Sequence, residues 1–534
     1  MKKWIVSLLS ITIILIKTNA QSPFEYALQI DSIAISGIPG LHAYAFAVAN
    51  DKWLIVGGRK DGLHARQPFA SFLETDNNTD IYVIDIQTQQ FWSASVNTLP
   101  TNIKEQLQST NTNFYQDGDT LVIIGGYAYA ASVASHITLP YLTTIQVSSV
   151  INAIISGSDI TPYFKQINDD LFAVTGGELG KIGNTYYLVG GQRFDGQYNP
   201  MGHPTYVQSY TNAIQKFKLN NTGTELDYSD YIKITDPIHL HRRDYNLLPQ
   251  IFTDGTEGYT ISSGVFQELV DLPFLYPVDI NVAGYTPKTD FNQYLSNYHT
   301  AHATLYDSIE NKMHALFFGG ISQYYYADGA LFQDDNVPFV KTISGVTRFS
   351  DGSLVEYAFP LEMPGFRGTS AEFIINRDFT TNNAEIIQLN KVGLDTIIIG
   401  HIFGGINSPL LNPFSTNQTN TTYADNTIFV VKLVKSDATG IEKINVKNPY
   451  ELSIYPNPTT SAFTLSFATN EIVAARYFIT NVKGELIQSD TIPVYNIGNV
   501  KHVVKLDSKF IYQNLLITVV LDNTYYLTKT LVME

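Results

Sequence analysis

Two stretches of the chain set an arginine, a spacer, an aspartate and a glycine just after a pair of glycines. Arg59-Lys60-Asp61-Gly62 follows Gly57-Gly58, and Arg193-Phe194-Asp195-Gly196 follows Gly190-Gly191. Asp-Gly is a turn sequence, and an Arg/Asp pair can close the base of a loop by a salt bridge. The same pair can instead offer a bidentate guanidinium and a carboxylate acceptor to sugar hydroxyls or to an acidic ligand. Both readings stay open on these residues alone. The densest ionisable stretch is H-L-H-R-R-D-Y, residues 239–245, with Arg242, Arg243 and Asp244 in succession. Neighbouring side chains on a strand point to opposite sides, so at least one of the two arginines is expected on the loop-bearing side. His42 in G-L-H-A-Y, His64 in the first long insertion, His299 and His302 in Y-H-T-A-H, and Arg367 in G-F-R-G-T-S complete the set. For each, packing within the fold competes with ligand contact as the reason for its presence.

Other chemistries find less support. His299-x-x-His302 has no third ligand at a recognisable spacing, and on a strand its imidazoles diverge, so no metal site is expected. The Asp-rich pieces 76–80 and 334–336 lack the spacing of a calcium loop and read as solvated turns. No nucleophile elbow stands in a suitable context, and no cofactor is expected. A net charge of -16, with no Lys/Arg run to offset it, argues against a nucleic-acid partner.

The elements that must position these groups are β-strands. Only 15% of the 534 residues are charged, while Tyr (34) and Phe (30) dominate the aromatics, a bias that suits pleated surfaces. Apolar strands ending in paired glycine recur at Gly57-Gly58, Gly125-Gly126, Gly190-Gly191, Gly319-Gly320 and Gly404-Gly405, and Ser263-Gly264 fills the gap as a degenerate sixth copy. In each unit a first strand such as residues 42–49, 245–252 or 300–306 precedes the glycine strand. A Tyr/Phe-rich third strand follows, as in residues 81–86, 213–219 and 428–433. Glycine is expected where the chain turns and a Cβ would strike the neighbouring unit.

The order Gly57-Gly58, Tyr82, Trp92 resembles the kelch repeat, whose unit is a four-stranded propeller blade. Over residues 30–435 the resemblance implies a six-bladed kelch-like β-propeller, so the expected class is all-β. Later copies lack the closing Trp. Galactose oxidase also carries kelch blades, but its copper-radical chemistry uses a Tyr cross-linked to Cys, and this chain has no cysteine. The last propeller strand, residues 428–433, has no fourth strand after it. The N-terminal segment 24–30, with no unit of its own, is predicted to complete that sheet and remove an open edge. The insertions after the glycine pairs, as in residues 59–79, are long and confined to one face, which marks a binding face.

A signal peptide is expected over residues 1–20, with Lys2-Lys3, an apolar stretch and a small-residue cleavage site, leaving no later transmembrane span. The propeller is assigned to residues 21–435, a linker to 436–449, and a small C-terminal β-sandwich to 450–534. Tyr455-Pro456-Asn457-Pro458 ahead of an alternating strand, a hairpin turning at Lys483-Gly484, and the closing T-K-T-L-V-M-E resemble the C-terminal sorting domain of the type IX secretion system of Bacteroidetes. The resemblance implies the secretion machinery as partner and a secreted or cell-surface destination. It leaves three classes of function: a binding protein for an extracellular glycan or protein, with Tyr324, Tyr325 and Tyr326 supplying apolar contact; a carbohydrate-active enzyme similar to kelch-propeller sugar mutarotases; and an extracellular structural protein.

Overall fold

The computed structural model describes residues 22–201, 205–268, 270–380, 385–392, 396–435, 440–444, 446 and 448–534. The expected signal peptide and part of the expected linker lie outside the described residues. Among the described residues, six antiparallel four-stranded units follow one another in the chain. Sheet one is Ala45–Ala49, Lys52–Val56, Asp80–Asp85 and Gln90–Ser95. Sheet two is Asn113–Asp117, Thr120–Ile124, Tyr141–Gln146 and Phe164–Asn168. Sheet three is Glu178–Ile182, Thr185–Val189, Ala213–Thr222 and Glu225–Thr235. Sheet four is Asn246–Ile251, Glu257–Ser262, Val278–Asn281 and Gly284–Pro287. Sheet five is His302–Asp307, Lys312–Ile321, Phe339–Arg348 and Leu354–Glu362, with Ile386–Gln388 added at one edge and Glu442–Lys443 at the other.

Sheet six joins the ends of the body. Phe366–Ile375, Thr396–Ser408 and Ile428–Lys435 supply three strands, and Tyr26–Ile33 pairs along the whole of Ile428–Lys435 as the fourth. The N-terminal segment therefore does what its alternation predicts. Phe24, just before it, is buried against Tyr357, Phe359 and His314 of sheet five.

The glycine pairs explain how consecutive sheets are held. The amide N–H of Gly58 donates to Ser109, that of Gly126 to Val174, that of Gly191 to Arg242, that of Gly264 to Asn297, and that of Gly405 to Leu41. Each acceptor lies on the segment entering the next sheet, and the last one leads from sheet six back to sheet one. A Cβ on Gly125 would sit 1.8 Å from the Val174 carbonyl oxygen, so no side chain fits. The degenerate copy keeps this backbone: Ser263 has φ 59° and Gly264 φ 104°. The Ser263 hydroxyl donates to the Phe274 carbonyl at 2.6 Å, a local bond that compensates for the strained conformation. Apolar clusters bridge neighbouring sheets in the same succession, including Ile374, Phe403 and Ile428 of sheet six against Trp53, Ile55 and Tyr82 of sheet one.

Elements absent from the sequence-based reading fill the insertions. Helix Thr101–Leu107 and helix Val147–Ser156 pack under sheets one and two. Strands from the insertions of sheets two and three join into one further sheet in the order Tyr206–Tyr210, Gln192–Gly196, Ser135–Thr138, Tyr127–Ala130. Tyr324–Ala327 pairs with Ala330–Gln333 as another hairpin.

The C-terminal domain is two antiparallel sheets around its own core. One is Ser453–Tyr455, Ala462–Thr469 and Gly498–Lys505; the other is Leu486–Ile492, Ala475–Asn481, Asn514–Leu521 and Tyr525–Val532. Asn457 ties the Pro-rich turn to the final strand, its Nδ2 donating to Thr530 O at 2.8 Å and its Oδ1 accepting from Val532 N at 2.9 Å. Gly484 forms the tip of the hairpin at φ 80°.

Candidate functional site

The insertions and the segments between sheets meet around a cavity of about 1040 Å³. Arg243 and Asp244, on the segment entering sheet four, Tyr298 and His299, entering sheet five, and His42, entering sheet one, all line it. The inserted hairpins add Tyr127, Tyr206 and Tyr210, and the first insertion adds His64 and Phe72. An aromatic wall with a few oriented polar groups is the usual constitution of a small-ligand site.

Three arginines line this cavity, Arg59, Arg66 and Arg243, and Arg243 is held by side chains of the cavity wall. Its guanidinium lies 4.6 Å from the centre of the Phe266 ring, its Nε donates to the Tyr210 hydroxyl at 3.2 Å, and its Nη1 donates to Asp244. Among the described residues no partner is assigned to Nη2. Stacking and the Asp244 carboxylate fix the plane of the fork, leaving one edge for a ligand oxygen. Tyr210 itself stacks on His241 with centroids 3.8 Å apart.

Arg59 and Asp61 are engaged with each other. Nε and Nη2 of Arg59 donate to the two oxygens of Asp61 at 2.8 and 2.7 Å, and Nη1 donates to Asn77 at 2.9 Å. Burial alone would raise the Asp61 carboxyl, but hydrogen bonds from His42 and Arg59 outweigh it and hold it down at about 2. His42 Nε2 lies 3.4 Å from Asp61 Oδ1, while its buried Nδ1 has no partner among the described residues. His64 sits among Phe72, Tyr198 and Phe414, and burial lowers it to about 4.

Other candidates lie off the cavity. Arg193 pairs with Asp195 at 2.9 Å and Asp170 at 3.5 Å, half-exposed. Arg367 Nη1 donates to Asp425 at 2.6 Å and Thr427 at 3.0 Å. Arg242 is fully buried on another side of the segment, donating to the carbonyls of His239, Ser263 and Tyr276 and stacked over Phe274 and Tyr276. Tyr324 is buried against Tyr294 and none of Tyr324, Tyr325 or Tyr326 lines the cavity.

A group that sequence reasoning missed adjoins His299. Its Nε2 lies 3.5 Å from Glu372 Oε1 and 3.7 Å from Glu178 Oε1, carboxylates contributed by the first strands of sheets six and three. Burial, then the charges of Asp244 and Glu385, push Glu178 up to about 8, and burial lowers His299 to about 3. Glu178 keeps 22% of its side-chain surface accessible, so water reaches a pair that the surrounding protein still holds neutral. Glu178 opens its strand and Glu372 lies well inside its own, and single carboxylates on unrelated strands give no spacing to read.

Residues 453–508 match the family model of the secretion system C-terminal sorting domain. The protein is therefore exported to the cell surface or beyond, and its tail engages the type IX machinery. No curated protein matches the chain. One similar solved structure, described as "Structure of YjhT", is 10% identical with a TM-score of 0.43, covering 77% of this chain and 98% of that one. Among the described residues no helix is long and apolar enough to cross a membrane.

Proposed function

We propose that residues 21–435 form a six-bladed propeller of kelch type, joined through residues 436–449 to the sorting domain 450–534, and that the exported body captures a carboxylated glycan in the cavity on its loop face. Glycine amides lead from sheet one through to sheet five and return from Gly405 of sheet six to Leu41, while between sheets five and six the Ala301 amide donates to Gly368 O, a succession that supports the closed arrangement. The observation that carries the ligand class is Arg243. Its fork is oriented by Phe266, Tyr210 and Asp244 and keeps Nη2 without an assigned partner in an aromatic cavity. Aromatic faces take the apolar side of a sugar ring while the guanidinium pairs with its carboxylate. Screening the full-length chain against paired neutral and uronic-acid oligosaccharides tests this: acidic members bind, and Arg243→Ala loses them. Equal binding of neutral and acidic members, or full retention by the variant, excludes the assignment.

A second reading, a sugar mutarotase, draws on His299. A neutral imidazole facing the cavity and backed by Glu178 and Glu372 could take the proton of an anomeric hydroxyl while a carboxylic acid returns one to the ring oxygen, leaving the composition of the sugar unchanged. Following the anomeric signals of a freshly dissolved uronic acid by NMR separates the readings. Acceleration lost in His299→Asn supports catalysis, and an unchanged approach to equilibrium leaves binding alone.

A further inference from the structure

The four-stranded sheet of the C-terminal domain is apolar on both faces. Tyr477, Ile479, Ile517, Val519 and Leu527 point into the domain's own core, while Phe478, Val520 and Tyr526 alternate to the other side and are equally buried. An antiparallel sheet at a surface ordinarily alternates apolar inward and polar outward, so a sheet with two apolar faces requires a second cover. The body provides it. Phe478, Val520 and Tyr526 share a cluster with Ile238, Leu240, Phe274 and Tyr276, and the Tyr526 ring stands 4.9 Å from Tyr276 and 5.8 Å from Phe274.

Polar groups match across the same contact. His239 is buried between the Tyr276 hydroxyl, 2.8 Å from Nδ1, and the Thr518 hydroxyl, 3.1 Å from Nε2. The Tyr526 hydroxyl donates to Gln267 Oε1 at 3.0 Å, and the Thr528 amide donates to the Thr289 hydroxyl at 3.1 Å. At the hairpin tip, a Cβ on Gly484 would lie 2.1 Å from Thr235 O, so the two backbones approach as closely as glycine permits. Stacked rings at the centre and paired polar groups around them are the constitution of a specific interface.

The connecting segment is anchored separately. Glu442–Lys443 extends sheet five, and the Ile444 amide donates to Glu356 O at 2.9 Å. A cut between Ile444 and Tyr450 therefore separates the chain at a point that leaves both the added strand and the apolar contact in place.

We propose that the sorting domain is latched onto the body through this contact, so that breaking the connecting peptide does not by itself free the tail. Release requires a second step, in which a competitor displaces the four-stranded sheet from Phe274 and Tyr276. The domain's other sheet, with the Tyr455-Pro456-Asn457-Pro458 turn at its edge, stays uncovered while latched, its Tyr455 and Val503 exposed.

The test places a specific protease site at the exposed Val446 of the full-length chain, cuts it after folding, and follows body and tail by gel filtration at roughly micromolar concentration, where an interface of ordinary size persists. Linkage adds effective concentration, so only the cut chain reports the intrinsic contact. Co-elution of the cut fragments, lost in Val520→Lys and kept in Val503→Lys, is the expected result. Separation of the unsubstituted fragments, or co-elution unaffected by Val520→Lys, overturns the proposal. Resistance of the isolated Val520→Lys tail to a second protease confirms that it remains folded, and a variant tail that has unfolded is replaced in the test by Tyr526→Ala, read by the same two outcomes.

Discussion

Arg242 and Arg243 are adjacent in the chain, and their guanidinium groups serve different surroundings. Arg242 stacks over Phe274 and Tyr276 at 4.2 and 4.5 Å beside the C-terminal domain, whereas Arg243 stacks over Phe266 at 4.6 Å in the cavity wall. The divergence arises on the irregular segment ahead of the strand Asn246–Ile251, where Arg243 bridges Val265 and Arg242 turns to the other side. Its consequence is that the two residues answer differently to the same substitution.

Arg242→Ala leaves three buried carbonyls without their donor and opens a space between two rings. A loss of about 3 kcal/mol or more in unfolding free energy is expected, measured by chemical denaturation. Arg243→Ala is expected to lower the midpoint less than Arg242→Ala, because Asp244 keeps some contact with solvent, while abolishing response to a carboxylated sugar.

The glycine pairs are testable at two positions. Gly125→Ala forces a Cβ against Val174 O at φ 66° and is expected to cost at least about 2 kcal/mol. Ser263→Gly relieves a left-handed serine but removes its bond to Phe274, and these oppose each other to within about 1 kcal/mol.

Removing Tyr26–Ile33 exposes the whole of Ile428–Lys435 as an edge. The expected outcome is replacement of one cooperative thermal transition of the body by a broadened one at lower temperature, seen by calorimetry. An unchanged transition would show that the pairing contributes little.

Stability should depend on pH from both sides. His239 and His299, lowered to about 4 and about 3 chiefly by burial, are neutral in the fold and bind protons first when unfolded. The stability they contribute is present above their ordinary range and falls as pH drops from about 6.5 towards those values. Glu178, raised to about 8, keeps its proton in the fold, so its contribution falls as pH rises from about 4.5 to 8. Thermal midpoints measured across pH should decline at both ends, and Glu178→Gln should lessen the alkaline decline, to which the buried Glu356 and Glu372 also contribute, without changing the acid one.

Much of the sheet succession was legible because glycine pairs are dictated by backbone contact: wherever a sheet hands its amide to the next, a side chain is excluded. Even the degenerate Ser263-Gly264 held its place in the period. The N-terminal closure was legible from a strand left over at one end and a strand wanting at the other. The cavity was less so. Arg59 and Asp61 carry the right chemistry but spend it on each other, on Asn77 and on His42, and nothing in R-K-D-G distinguishes a closed loop from an open site. Glu178 and Glu372 meet His299 from three different sheets, and such convergence has no linear signature. The cover over the C-terminal sheet did leave a trace in the run L-L-I-T-V-V-L ending the strand Asn514–Leu521, apolar on both faces except at Thr518, where an exposed sheet would have alternated with polar residues.

The central claim is that the loop-face cavity holds a carboxylated sugar through Arg243. A crystal structure of the full-length chain soaked with a hexuronic acid tests it most directly. The account predicts the carboxylate at hydrogen-bond distance from Arg243 Nη2, with the sugar ring against the aromatic wall. A ligand bound elsewhere on the body, or a carboxylate turned away from Arg243, would contradict it.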